Sequence, residues 1–155
     1  MNELRRTFLK LTGGAGVLAA VFSAGLVAFR QARAATWNKA GFEAKSLADV
    51  MKSLGAAGAA ESRDIVITAP DIAENGAVVP IAVTSKLPNT EQISIVAEKN
   101  PFPLAATFDV TAGGEGYVSA RIKMGQTSDV WAVVKAGGKY YTARKEVKIT
   151  VGGCG

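Results

Sequence analysis

From Asp64 onward the apolar residues fall at every second position, and this period of two constrains the fold more than any other feature of the chain. Val118, Ala120, Ile122 and Met124 alternate with Tyr117, Ser119, Arg121 and Lys123. Val147, Ile149 and Val151 alternate with Glu146, Lys148 and Thr150. Such alternation gives a strand one buried face and one wet face. Strands are expected over residues 64–69, 77–85, 92–98, 104–110, 117–124, 128–136 and 139–151. The breaks between them carry turn chemistry: Pro70-Asp71, Asn75-Gly76, Pro88-Asn89, Asn100-Pro101, Gly113-Gly114 and Gly137-Gly138. Gly137-Gly138 is the best tight hairpin, because glycine accepts the positive φ that two-residue turns need.

Seven short strands at this spacing predict a mainly β chain, an antiparallel sandwich of two sheets, immunoglobulin-like in outline. The Cys…Trp…Cys signature of true immunoglobulin domains is absent, so the likeness is one of outline alone. Ahead of the strands the period is helical. Ser46 precedes Leu47, Val50, Met51 and Leu54, with Asp49 three residues after it as a capping box, and Gly55 is a natural stop. Residues 35–45 read as a loose start, and the small residues Ala56 to Ala60 as a linker. The chain therefore divides into a leader (1–34), a short helical segment with its linker (35–63), a sandwich (64–151) and a C-terminal arm (152–155). At 155 residues it has room for one domain with a modest core.

The net charge of +5 invites a nucleic-acid reading, but the charge is not where such a surface would need it. Arg5, Arg6, Lys10, Arg30 and Arg33 lie in the first 34 residues, against the single acid Glu3. The remainder of the chain is nearly neutral, so the basicity belongs to the leader and no nucleic acid is expected as a partner. Arg5-Arg6-Thr7-Phe8-Leu9-Lys10 resembles the twin-arginine export motif, although Leu4 stands where Ser or Thr is usual. An uncharged stretch from Leu11 to Phe29 comes next, softened by Gly13, Gly14, Gly16 and Gly25, and then the small-x-small site Ala32-Arg33-Ala34. The expected product begins near Ala35 in the periplasm, without stable membrane association. An uncleaved anchor is the other reading, since the stretch could just span a bilayer. This export route handles folded proteins, and a chain with no histidine and one cysteine offers no His/Cys metal cluster. No cofactor or metal is expected, and a co-exported partner subunit is.

Chemistry is concentrated at Cys154, the one cysteine. An unpaired thiol in an oxidising compartment invites oxidation or cross-linking. A cysteine can also be simply a small buried hydrophobe. Its setting, Gly152-Gly153-Cys154-Gly155, argues for a presented thiol, because three of the four residues have no side chain to pack and glycine leaves the backbone free. Three extended residue steps from Val151 give a reach of roughly 10 Å, enough for a narrow arm to enter a channel closed to a whole domain. The chain has no histidine to act as a base, and Lys145 and Lys148 would be felt only weakly through water. The chemistry at Cys154 is therefore expected from proteins that receive the arm, which is the logic of a carrier and not of an enzyme.

The tail Gly152-Gly153-Cys154-Gly155 resembles the end of the SoxY family, the sulfur carriers of the periplasmic thiosulfate-oxidising Sox system. Further stretches are similar to that family: residues 69–80 from Ala69-Pro70-Asp71 to Val79-Pro80, Glu98-Lys99-Asn100-Pro101, Leu104-Ala105-Ala106-Thr107-Phe108, Tyr117-Val118-Ser119 with Arg121-Ile122-Lys123-Met124, and Gln126-Thr127-Ser128-Asp129-Val130. The family's tail usually carries two glycines after the cysteine, where this sequence has Gly155 alone. The resemblance implies that thiosulfate is joined to Cys154 as a cysteine S-thiosulfonate by a c-type haem enzyme. A dimanganese hydrolase would then release sulfate, and a molybdenum–haem sulfane dehydrogenase would oxidise the sulfur left behind. It also implies a heterodimer with a SoxZ-like subunit, with Gly152, Gly153 and Gly155 as the flexible, swinging part of the arm.

Two rival readings compete with the carrier. A sandwich binding module could use the terminal thiol for an intermolecular disulfide. An enzyme would need acids such as Asp71 and Glu74, but these stand in a turn-like segment where carboxylates are usually solvated or cap the backbone. Trp131 and Phe108 read as core. The apolar run Val130–Val134 reads equally as core or as partner surface.

Overall fold

The computed structural model describes residues 37–151; the leader and the four residues of the arm lie outside them. Among the described residues two helices come first, α1 (Lys39–Glu43) and α2 (Leu47–Leu54). The strands are β1 (Ala60–Glu61), β2 (Ile65–Thr68), β3 (Ile72–Ala73), β4 (Val79–Ser85), β5 (Thr90–Ala97), β6 (Leu104–Asp109), β7 (Tyr117–Ile122), β8 (Ser128–Ala136) and β9 (Lys139–Ile149). The larger sheet runs β1-β9-β8-β5-β6, with β3 also on β9, and the smaller runs β2-β4-β7. All seven strands expected from the period of two are present.

The alternation does what it predicts. On the larger sheet Ile93, Ile95, Ala97, Val130, Ala132, Val134 and Val147 face Ile65, Val79, Ile81, Val83 and Ile122 of the smaller sheet in one buried cluster. Each valine or isoleucine among them, removed from water, contributes roughly 1.5–3 kcal/mol. The other face of the larger sheet is not wet. Val96, Leu104 and Val133 are buried beneath Ala44, Val50, Leu54 and Ala56, with Trp131, Tyr140, Leu47 and Met51 packed around them. Central strands β5 and β8 are thus buried on both faces. That settles the Val130–Val134 run as core, inward at Val130, Ala132 and Val134 and under the helices at Val133.

The helix ends are set by their caps. Ser46 Oγ accepts from the Asp49 amide at 3.1 Å and donates to the Asp49 carboxylate at 2.7 Å. At the other end Gly55 has φ +76°, its amide bonds the Lys52 carbonyl, and the next amide, Ala56, bonds Met51 at 2.7 Å. This double closure satisfies the Met51 and Lys52 carbonyls in the last turn of the helix.

Three details depart from the sequence reading. Residues 39–43, read as part of a loose start, form α1. Asn38 caps it by accepting from the Gly41 amide at 3.0 Å, and its own amide group donates to the Ser53 carbonyl. Gly41 lies so close to α2 and β6 that a Cβ there would meet Ser53 Oγ at 2.8 Å. Secondly, the stretch read as linker contains buried Ala56 and the first residue of β1. Thirdly, β1 and β3 pair with β9 in parallel, where an antiparallel sandwich was expected. The chain runs beside β9 in the same direction, crosses to the smaller sheet for β2, and returns. The two short pairings cover parts of an edge of β9 that would otherwise lie open.

Candidate functional site

Cys154, Gly152, Gly153 and Gly155 lie outside the described residues, so the structure speaks to the ground from which the arm departs. That ground is the end of β9 and the segment 69–77 laid against it. The Lys148 amide donates to the Asp71 carbonyl at 3.0 Å, and the Thr150 amide to the Ala73 carbonyl at 3.2 Å. The Thr150 hydroxyl donates to the Glu74 carbonyl at 3.2 Å, and the Ile149 amide to Thr127 Oγ1 at 3.0 Å. The Gly76 amide closes the series by donating to the Val151 carbonyl at 2.8 Å. The segment acts as a strap, and it holds the backbone up to the residue before Gly152.

The strap is itself fixed. Asn75 Oδ1 accepts from the Ala77 amide at 2.8 Å, a local turn that explains the Asn75-Gly76 pair. The Gly76 carbonyl accepts from the Met124 amide at 2.7 Å, and Ala73 is buried in the main core. Lys145 Nζ reaches across to Asp71 Oδ1 at 3.0 Å and to the Ala69 carbonyl at 2.7 Å. The Asp71 carboxylate is thus engaged by Lys145, and both Asp71 and Glu74 lend their main-chain carbonyls to the bonds with β9.

Other residues singled out in the sequence are structural. The Trp131 indole N–H donates to Glu98 Oε2 at 2.8 Å, and its ring packs under the helices with the Arg144 guanidinium 5.4 Å from its centre. Phe108 packs against the main core. At the far end of β9, Glu91 and Lys135 pair at 2.8 Å beside the Gly137-Gly138 hairpin. The Lys135 hydrogen bond, helped by the Gly138 amide, lowers the Glu91 carboxyl, and the Glu91 hydrogen bond raises the Lys135 ammonium.

Sequence reasoning missed the strap. Its residues read as turn, and a two-residue strand leaves no period to detect. Ile72, a large apolar side chain between the turn residues Pro70-Asp71 and Asn75-Gly76, was the available signal.

The family model described as sulfur oxidation protein SoxY matches residues 50–154, a stretch that runs through the strap, β9 and Cys154. Among solved structures, the sulfur carrier protein SoxY from Chlorobium limicola f thiosulfatophilum is 42% identical with a TM-score of 0.62, over 69% of this chain and 94% of that one. A superoxide reductase (neelaredoxin) from Ignicoccus hospitalis is 18% identical with a TM-score of 0.48, over 56% of this chain and 80% of that one, too loose a likeness to carry an argument. No curated protein sequence matches.

Proposed function

The chain belongs to the SoxY family of sulfur oxidation proteins, and from that premise we propose that it carries sulfur substrates covalently on Cys154 and presents them to partner enzymes. The observation that supports this reading most is the strap: the backbone is held as far as Val151, and the chain's one thiol stands three residues later, with two glycines between. A fixed root with a short, side-chain-poor tether is what a delivered thiol requires.

The chemistry balances in two steps. Loading joins thiosulfate to the thiol: Cys154–SH and S2O3(2−) give Cys154–S–S–SO3(−), one proton and two electrons, the electrons passing to a c-type haem enzyme. Hydrolysis is the second step: water attacks the sulfonate sulfur, sulfate leaves, and Cys154–S–S(−) remains with two protons released. The hydrolysis belongs to a dimanganese enzyme, and a molybdenum–haem sulfane dehydrogenase oxidises the sulfur that stays. This chain contributes the nucleophilic sulfur, its tether and the strap; with no histidine in the sequence, activation of the thiol falls to the receiving enzymes. The working form is a heterodimer with a SoxZ-like subunit in the periplasm, reached by the twin-arginine route with the leader removed near Ala34.

Intact-mass analysis after incubation with thiosulfate and the haem enzyme tests the proposal. A thiosulfate adduct on Cys154 is expected, and Cys154→Ser keeps fold and subunit binding while sulfur-dependent turnover vanishes. A disulfide-linked dimer as the sole product, or turnover retained by Cys154→Ser, would rule the carrier role out.

A further inference from the structure

Glu98-Lys99-Asn100-Pro101 and Gln126-Thr127-Ser128-Asp129-Val130 stand at two strand connections, residues 98–103 between β5 and β6 and residues 123–127 between β7 and β8. The two stretches are bonded to each other. The Glu98 amide donates to the Asp129 carbonyl at 3.1 Å, and the Lys99 amide to Ser128 Oγ at 3.0 Å. Asn100 grips the second connection twice. Its Nδ2 donates to the Lys123 carbonyl at 2.7 Å, and its Oδ1 accepts from the Gly125 amide at 3.1 Å. A side-chain amide carries a donor and an acceptor side by side, whereas a carboxylate would lack the donor. The backbone of Asn100 is itself held, because its amide donates to the Ala97 carbonyl at 3.0 Å.

Met124 stands between the two grips, and there the connection meets the strap. Its side chain is fully buried in the main core, and its amide donates to the Gly76 carbonyl at 2.7 Å. The Lys123 carbonyl and the Met124 amide are two ends of one planar peptide group. Asn100 therefore holds from one side the same rigid unit that holds Gly76 from the other. Gly76 passes the constraint on, since its own amide donates to the Val151 carbonyl at 2.8 Å. Two bonds and one peptide plane thus separate the Asn100 side chain from Gly76, and a third bond reaches the root of the arm. We infer that Asn100 is a positioning residue for the thiol: through the Lys123–Met124 peptide and Gly76 it sets where the arm begins, and so where a receiving enzyme meets Cys154. The inference rests on the carrier reading above and adds to it a residue that acts on delivery without touching the sulfur.

The test uses the full chain bound to its partner subunit. Asn100→Ala removes both grips, and Asn100→Asp keeps the acceptor while losing the donor. Ser46→Ala is the control, because it weakens the cap of α2, which has no bond to the strap. Amide exchange at Gly76 and Met124 is expected to quicken about tenfold in Asn100→Ala, less in Asn100→Asp and not at all in Ser46→Ala. In thiosulfate conjugation by the haem enzyme, kcat should fall about tenfold in Asn100→Ala and by less in Asn100→Asp. KM should stay within about twofold, because the outer surface is kept while the starting point of the thiol is not. Ser46→Ala is expected to load normally, and a small disulfide reagent should react with Cys154 at one rate in every variant. If Asn100→Ala does not fold, Asn100→Asp carries the same comparison. Unaltered exchange at Gly76, an unaltered kcat, an equal loss in Ser46→Ala or a matching loss with the small reagent would overturn the positioning role. Failure of the unaltered protein to gain thiosulfate on Cys154 would instead remove the carrier reading, and the role of Asn100 with it.

Discussion

The Gly76 amide donates to the Val151 carbonyl at 2.8 Å, so a turn ahead of β4 fixes the point at which the C-terminal arm begins. Thr150 shares the task through its hydroxyl, which donates to the Glu74 carbonyl. Replacing Thr150 with valine keeps the shape and removes that bond. Local opening should become easier by about 1 kcal/mol, so amide exchange at Gly76 and Thr150 should quicken about fivefold while global stability barely changes. Exchange at the unaltered rate would mean the hydroxyl does not hold the strap.

Ser46 governs the start of α2. Its side chain satisfies the Asp49 amide, and Ser46→Ala leaves that donor without its cap. The expected loss is about 1 kcal/mol, read as a lower denaturant midpoint at constant slope. Because α2 covers the outer face of the larger sheet, fluorescence of partly buried Trp131 should report the same transition.

That helix shows how far the sequence could be read. Its cap, its apolar spacing and its glycine stop are all local chemistry, and each is visible in the residues themselves. The same holds for strands such as β4 and β7, where every second side chain declares a face. What the sequence hid were contacts without a period: α1, five residues long and held by Asn38 and the close approach at Gly41, and the two-residue pairings of β1 and β3. The double burial of β8 was half visible, since a continuous apolar run suits a strand covered on both sides but does not say what covers it. For the candidate site the sequence offered the thiol and its glycines, while the strap that roots them depends on backbone bonds between residues 71–76 and 148–151.

The hairpin between β8 and β9 depends on left-handed backbone. Gly137 has φ +55° and Gly138 φ +74°, with Ala136 opposite Lys139. Alanine at either position should destabilise the fold by about 1 kcal/mol, and valine by more, because a branched Cβ tolerates that region poorly. Both are checked by chemical denaturation.

The Glu91–Lys135 pair sets a pH window. Folding lowers the Glu91 carboxyl, so its contribution is complete above the ordinary value of 4.5 and is lost as pH falls through the lowered value. Folding raises the Lys135 ammonium, so its contribution is complete below the ordinary 10.5 and is lost as pH rises through the raised value. A thermal-stability difference between the unaltered protein and Glu91→Gln should therefore be greatest between those limits and shrink outside them. Both groups are solvent-facing, so the difference should be small and should fade with added salt. A difference constant from acid to alkali would assign it to something other than the ion pair.

Strand β9 has a mechanical consequence for whatever is tied to its end. It is bonded along one side to β8 over nine residue pairs and along the other to β1 and β3. A tug applied at Val151 along the strand axis loads those bonds together in shear, whereas a tug across the sheet would peel them one by one. The two ends of the clamp, at residues 60–61 and 72–73, share the strain over the length of the strand. A load drawn outward along the strand is therefore resisted by the whole larger sheet.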